Sequence, residues 1–326
     1  MLEASHWHPV ASSEGWRQGP VAAHLLGQDL VLWRDGAGRV QAWADRCPHR
    51  GTRLSLGRVQ DDVLACAYHG WQFAASGQCV RVPALPSFAP PSSHCATRFQ
   101  AQQAFGLIWV KLASRDSALP VFQAEQDDGL RKLNCGPYEV AVSAPRVIEN
   151  FLDMAHFGFV HEGLLGSREA SAIDDYEVVA TPTGLLATGC KAWQPESNLH
   201  STAPAQIEYR YEVVSPFGAV LSKAPPADSV ALAGYHESIA LFICPLEPET
   251  CRVWFRLAVA DFETSEEALR DFQHRIFMQD KPVLESQTPR QLPLDLRAEC
   301  HTSADKASSM YRRHLKNIGI TFGVLD

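Results

Sequence analysis

Cys47-Pro48-His49 and Cys66-Ala67-Tyr68-His69 each put one thiol and one imidazole in a short segment. Two thiolates and two neutral imidazoles suit a mixed-ligand two-iron, two-sulfur cluster. One iron keeps the sulfur ligands and the other takes nitrogen, which raises the reduction potential above that of an all-cysteine cluster. The surrounding residues, Cys47-Pro48-His49-Arg50-Gly51 and Tyr68-His69-Gly70-Trp71, read as turns whose glycines let the backbone approach a sulfur-rich cluster closely. The same four side chains could close a tetrahedral zinc shell, and ligand type alone leaves the metal open. Zinc fingers usually pair Cys with Cys and His with His at close spacing. Here each loop mixes the two types, which fits a cluster held between facing loops better.

A second set interrupts the apolar run Asn150-Phe151-Leu152-Asp153-Met154-Ala155-His156-Phe157-Gly158-Phe159-Val160-His161. Its two imidazoles, joined by a carboxylate from elsewhere, would make the facial triad of a non-haem Fe(II) centre with positions open for oxygen. On a helix Asp153 and His156 share a face, so the carboxylate can hold the second nitrogen of the imidazole. His156 and His161 do not share one: five residues turn a helix through about 500°, leaving them about 140° apart. Convergence on one ion needs a bend, and Gly158 is the expected place. Taken alone, the segment reads equally well as an amphipathic core helix with satisfied histidines.

The elements around these residues are of two kinds. Up to residue 115 the chain reads as short β segments: Leu30–Trp33 and Val40–Trp43 joined by a Gly-bearing turn, Trp71–Phe73 and Cys79–Val82 likewise, and Phe105–Val110 as a closing strand. Both Cys/His segments fall at hairpin ends. Pro83, Pro86, Pro90 and Pro91 exclude regular structure between them. Periodicity is weak from 113 to 141, and Ser143-Ala144-Pro145 then offers a helix start. Strands are expected at Tyr176–Val179, Gly184–Ala187, Ile207–Val213, Ser238–Cys244 and Arg252–Val259. A helix opens at Ser265-Glu266-Glu267 and runs through Ile276. The expectation is an α+β chain: an all-β cluster domain at 1–115 with a linker to about 140, then a catalytic domain at 141–326 with an antiparallel sheet flanked by helices.

Cys-Pro-His-Arg-Gly at 47–51 followed by Cys-Ala-Tyr-His-Gly-Trp at 66–71 resembles the cluster loops of the Rieske oxygenase family. The Rieske proteins of respiratory complexes carry an extra, disulfide-joined Cys in each loop. Thr52 and Tyr68 stand in those places here, which points toward the oxygenases. Asn150, Asp153, His156 and His161 are similar, position for position, to the family's motif of Asn, bridging Asp and two iron-ligating His. Met278-Gln279-Asp280-Lys281-Pro282-Val283-Leu284-Glu285 resembles the late segment of demethylating and monooxygenating members, where an Asp ahead of a helix completes the triad. The resemblance therefore implies Asp280 as third ligand. Its bland alternative is an N-cap before a Pro-started helix, and Glu285 is the more distant choice. The implied catalytic fold is helix-grip-like, and the implied assembly is a homotrimer in which Asp153 bridges His69 of one subunit to His156 of the next.

The 326 residues, 46% hydrophobic and 20% charged, are enough for two domains, whereas an electron carrier alone needs far fewer. A net charge of −8 with scattered basic residues supports neither a nucleic-acid surface nor a membrane patch, and no apolar stretch is long enough to span a bilayer. The N-terminus has no leader pattern, and the nine cysteines form no disulfide framework, so the expected location is the cytoplasm. Cys79, Cys95, Cys135, Cys190, Cys244, Cys251 and Cys300 read as small buried hydrophobes. No nucleotide-binding glycine fingerprint occurs, so NAD(P)H would act through a separate reductase, with or without a ferredoxin. The resemblance to the compact vanillate and dicamba demethylase branch implies a terminal oxygenase using O2, a Rieske [2Fe-2S] cluster and a mononuclear Fe(II). Its implied reaction is hydroxylation or O- or N-demethylation of a small aromatic substrate. A ring cis-dihydroxylating enzyme is the alternative reaction, and an iron-sulfur carrier or zinc-stabilised binding protein the alternative of another class. Trp193, Phe217, Phe242 and Trp254 are pocket candidates for which core packing is the better reading.

Overall fold

A computed structural model describes residues 1–14, 16, 19–196, 203–224 and 236–326. The chain divides into two compact units, one at Ala4–Ala118 and the other at Leu119–Asp326 together with Met1–Glu3.

The first unit is built from strands β1 (His8–Ser12), β2 (Val21–Leu25), β3 (Gln28–Arg34), β4 (Val40–Ala44), β5 (Arg58–Gln60), β6 (Val63–Ala65), β7 (Gln72–Ala74), β8 (Cys79–Arg81), β9 (Arg98–Ala104) and β10 (Leu107–Lys111). One sheet runs β1-β10-β9-β4-β3-β2 and a smaller one β5-β6-β7-β8. The turn between β3 and β4 closes on Asp35, whose Oδ1 accepts the amides of Ala37 and Arg39, both at 3.0 Å, the local bond that suits Asp to turns. Trp33 meets Trp43 edge-on with centroids 4.9 Å apart, and Trp43 meets Phe73 at 6.5 Å. Cys47 and Cys66 belong to the same buried cluster, so the packing that holds the sheets also fixes the two Cys/His loops. Emptying the Trp43 site would cost about 3–5 kcal/mol. The proline-rich stretch at 83–91 is irregular.

The second unit carries β11 (Arg131–Val140), helices α1 (Ala144–Phe151) and α2 (Phe157–Val160), then β12 (Glu177–Thr181), β13 (Gly184–Gln194), β14 (Ala205–Ser215), β15 (Gly218–Ala224), β16 (Glu237–Glu247) and β17 (Thr250–Val259). Helices α3 (Glu266–Ser286) and α4 (Lys306–Ile318) follow. The sheet is antiparallel throughout, in the order β11-β17-β16-β15-β14-β13-β12. Ile207, Tyr209, Tyr211 and Val213 on β14 are buried while Glu208 and Arg210 are exposed, the period of two that made this strand legible. Strand β11 falls where sequence periodicity is weak. Its register slips between Cys135 and Tyr138 at Gly136-Pro137, and such an irregularity breaks the alternation on which strand recognition rests.

Helix α3 starts as expected, with Ser265 Oγ accepting the Ala268 amide at 3.2 Å. It then runs on through Pro282, so Asp280 lies inside the helix and neither precedes nor caps one. Pro282 removes one i→i−4 bond. The stripe Leu269, Phe272, Phe277, Asp280 and Leu284, buried on one face, keeps the helix going by packing. Cys79, Cys135, Cys190, Cys244 and Cys251 are buried, but Cys95 and Cys300 are exposed in irregular segments, contrary to expectation. Among the described residues no helix is long and apolar enough to cross a membrane.

Candidate metal centres

The loop after β4 and the loop after β6 share one construction. Cys47 N–H donates to the Thr52 carbonyl at 2.8 Å and the Gly51 amide returns to the Cys47 carbonyl at 2.8 Å. Cys66 and Trp71, with Gly70, repeat this at 2.9 and 3.0 Å. Gly51 and Gly70 sit at φ +73° and +69°, a left-handed turn that costs glycine nothing. Each turn throws its Cys inward and its His outward: Cys47 and Cys66 are buried, His49 half-buried and His69 exposed. The imidazoles lie with centroids 4.6 Å apart, and His49 stacks on Trp71 at 4.4 Å.

Burial, with the Cys66 thiol beside it, pushes the Cys47 thiol up to about 11. Desolvation, His69, Arg50 and His94 lower His49, which favours the neutral imidazole that ligates metal. A thiol that resists ionising, as Cys47 does beside a second cysteine, needs a cation to become a thiolate. The Nδ1 of His49 is buried without a hydrogen-bond partner among the described residues. This donor set fits an iron-sulfur cluster bound at the loop tips.

The second centre is made by α1, α2 and α3. The first helix ends at Phe151, and Asp153 then organises the backbone beyond it. Its Oδ1 accepts the Ala155 amide at 2.8 Å and its Oδ2 accepts the Nδ1–H of His156 at 3.0 Å. The chain turns through Leu152–His156 and α2 begins at Phe157. His156 and His161 thus stand at the two ends of the single helical turn Phe157–Val160, His161 already outside helical backbone at φ −111° and ψ 32°, and the expected bend at Gly158, which lies inside that turn, is absent. Gly158 instead permits close packing, since a Cβ there would meet the Ser167 carbonyl at 2.7 Å, and one on Gly166 would meet the Phe157 and Gly158 backbone at 2.5 Å. The two glycines let these segments touch.

The result is convergence. His156 Nε2 and His161 Nε2 are 3.2 Å apart, and Asp280 Oδ1 is 3.4 Å from the first and 3.2 Å from the second. A point about 1.9 Å from all three lies at the centre of that triangle, just inside the ~2.0–2.2 Å at which such ligands hold a divalent ion. With Nδ1–H of His156 given to Asp153 and Nδ1–H of His161 given to Gln279 Oε1 at 2.9 Å, both Nε2 atoms present lone pairs to each other. That arrangement repels unless a cation lies between them, either a proton shared with Asp280 or a metal ion. Burial alone would lower His156, but Asp153 and Asp280 raise it to about 9. Burial works against ionised Asp280 as well, yet the two histidines hold it down at about 2. Asn150 Nδ2 donates to Asp280 Oδ1 at 3.4 Å. The residues fit a divalent ion held by two imidazoles and one carboxylate.

Beside the triad opens a cavity walled by Phe151, Phe157, Tyr209, Tyr211, Phe255 and Phe277 among others. Of the aromatic candidates, Phe217, Phe242 and Trp254 are buried but do not line it, and Trp193 is exposed. Trp254 and Phe255 are neighbours on β17, so they face opposite sides of the sheet. Gln279 escaped notice in the sequence, although its place next to Asp280 on the same helix was the available signal.

Comparison with known proteins settles the class. Residues 6–99 match the Rieske [2Fe-2S] domain and residues 140–319 the vanillate O-demethylase oxygenase C-terminal domain. Methylxanthine N1-demethylase NdmA of Pseudomonas putida is 32% identical over 96% of this chain and 88% of its own. Probable methylxanthine N7-demethylase NdmC of Pseudomonas sp. (strain TJI-51) is 38% identical over 67% and 77%. The solved structure of Pseudomonas putida CBB5 NdmA with caffeine superposes with a TM-score of 0.84 at 30% identity, covering 96% of this chain and 90% of that one. The zinc-stabilised and carrier alternatives fall with these matches. The chain belongs to the Rieske non-haem iron oxygenases, as a terminal monooxygenase component with a Rieske [2Fe-2S] cluster and a mononuclear iron.

Proposed function

We propose that Cys47, His49, Cys66 and His69 hold the cluster, within a domain spanning residues 1–115, and that His156, His161 and Asp280 hold the iron, within a catalytic domain spanning 141–326. The observation that carries this reading is the meeting of His156, His161 and Asp280 within 3.4 Å at the wall of an aromatic-lined cavity. Iron held there supplies activation of O2 with electrons relayed by the cluster. The protein's own part is positional. Asp153 and Gln279 fix the tautomers of the two histidines, Asn150 steadies the Asp280 carboxylate, and the apolar walls exclude water and hold an aromatic substrate flat.

The substrate is a small aromatic molecule bearing an O- or N-methyl group, which leaves as formaldehyde once hydroxylated. Electrons come from NAD(P)H by way of a separate reductase, with or without a ferredoxin, in the cytoplasm. The assembly is a homotrimer in which Asp153 links His69 of one subunit to His156 of the next. Its partly exposed carboxylate, already bonded to His156, and the exposed His69 support that link.

Asp153→Asn is expected to leave both metals bound while slowing oxidation of the reduced cluster in a single turnover with substrate and O2. An unchanged rate would remove Asp153 from the electron path. Formaldehyde released in step with NADH consumption, using a surrogate reductase, tests the reaction; a diol product would overturn it.

A further inference from the structure

Two charged side chains interrupt the apolar sheet wall of the cavity. Lys223 on β15 and Glu237 on β16 are cross-strand partners, with Nζ 3.1 Å from Oε2 and side chains only 10% and 9% exposed. Side chains two apart on a strand share a face, so Lys223 stands beside Leu221, and Glu237 beside Ile239 and Leu241, all lining the cavity. The ammonium lies 5.9 Å from the centroid of the Tyr209 ring, another part of that wall. Among the described sheet residues that line the cavity, no other side chain is charged.

Such a pair is a poor stabilising device. Taking two charges out of water consumes most of their attraction, and apolar residues of similar size would hold the strands as well or better. In an otherwise apolar pocket, a few convergent polar groups serve to orient the ligand. The pair has no net charge, which decides what it can orient. An aromatic carboxylate drawn to Lys223 meets Glu237 immediately behind it, so attraction and repulsion nearly cancel while the anion still loses its hydration. A neutral edge carrying an acceptor next to a donor satisfies both groups without adding charge.

We infer that Lys223 and Glu237 anchor the substrate, and that they select a flat neutral ring with a cyclic-amide edge over an aromatic carboxylate; this rests on reading the cavity as the oxygenase's substrate site. Lys223 donates to the carbonyl oxygen and the Glu237 carboxylate accepts the adjacent N–H. The iron triad then faces another part of the same ring.

Isothermal titration calorimetry on the full-length protein loaded with cluster and iron tests this. Theobromine and 2-quinolone serve as cyclic amides, vanillate and 4-methoxybenzoate as carboxylates, and anisole as a probe lacking both groups. At least one cyclic amide is expected to bind about tenfold or more tightly than either carboxylate. The double variant Lys223→Met, Glu237→Leu should lose about tenfold or more of that affinity while keeping anisole within about threefold. Carboxylates that bind as tightly as the cyclic amides, or cyclic-amide affinity unchanged in the double variant, would overturn the assignment. Should that variant not fold, Glu237→Gln decides: vanillate must tighten and the cyclic amide weaken, and the reverse overturns it. Iron and sulfide content of the same preparation checks the oxygenase reading separately, so the two can fail independently.

Discussion

The two histidines of the iron triad are held through their second nitrogens by different chemistry. His156 gives its Nδ1–H to the Asp153 carboxylate at 3.0 Å, whereas His161 gives its own to the neutral amide of Gln279 at 2.9 Å. Outer partners of this kind orient the ligand and are worth about 10–100-fold in metal affinity. Gln279→Leu should therefore lower iron affinity by that factor, read by chelator competition, with little change in the thermal midpoint because the residue adds no ion pair. Unchanged affinity would show that packing alone orients His161, which is 1% exposed. The first partner was legible, because Asp153 and His156 are three residues apart on a helical pattern. The second was not: nothing local ties His161 to a residue 118 positions later, and only folding brings α3 across the ends of α1 and α2.

At the scale of elements, the sequence reports what repeats and hides what breaks a repeat. The alternation Ile207, Tyr209, Tyr211, Val213 identified β14 and pointed its tyrosines inward, and both line the cavity. Pro282 read as a helix start because proline favours first turns. The apolar stripe that carries Asp280 with Phe277 and Leu284 shows one continuous helix. Gly158 read as a bend for a similar reason, yet its missing Cβ is needed for contact with the Ser167 carbonyl, and Gly166 is pressed harder still against Phe157. Gly166→Ala should accordingly destabilise the iron-bound protein by about 1–3 kcal/mol and weaken iron binding as well, since Leu164 and Leu165 bond back to the His161 carbonyl. Denaturant unfolding and iron content together check this. A loss of neither would mean that the 163–167 turn can shift without disturbing His161.

For the whole molecule, the distribution of ligands matters as much as their geometry. The four cluster candidates lie within Ala4–Ala118 and the three iron candidates within Leu119–Asp326, so chelation of the mononuclear iron should leave the visible absorption of the cluster intact. Bleaching in parallel with iron loss would contradict separate sites. The second unit is also tied by charge: Arg312 bonds Glu149 at 2.6 and 2.9 Å, and Arg146 bonds Glu299 at 2.7 and 3.2 Å, joining α1, α4 and the segment before α4. Burial would raise Glu299, but the two guanidinium groups outweigh it and hold the carboxyl down at about 2. A carboxylate depressed in the folded state stabilises above its unfolded value, near 4.5, and loses that contribution as pH falls toward its folded value. The stability advantage of the wild type over Glu299→Gln should thus be constant from pH 7 to about 5.5 and shrink by more than half by about pH 3. Urea unfolding of both proteins across that range measures it. An advantage that persists undiminished at pH 3 would mean that Glu299 contributes through packing and not through its charge.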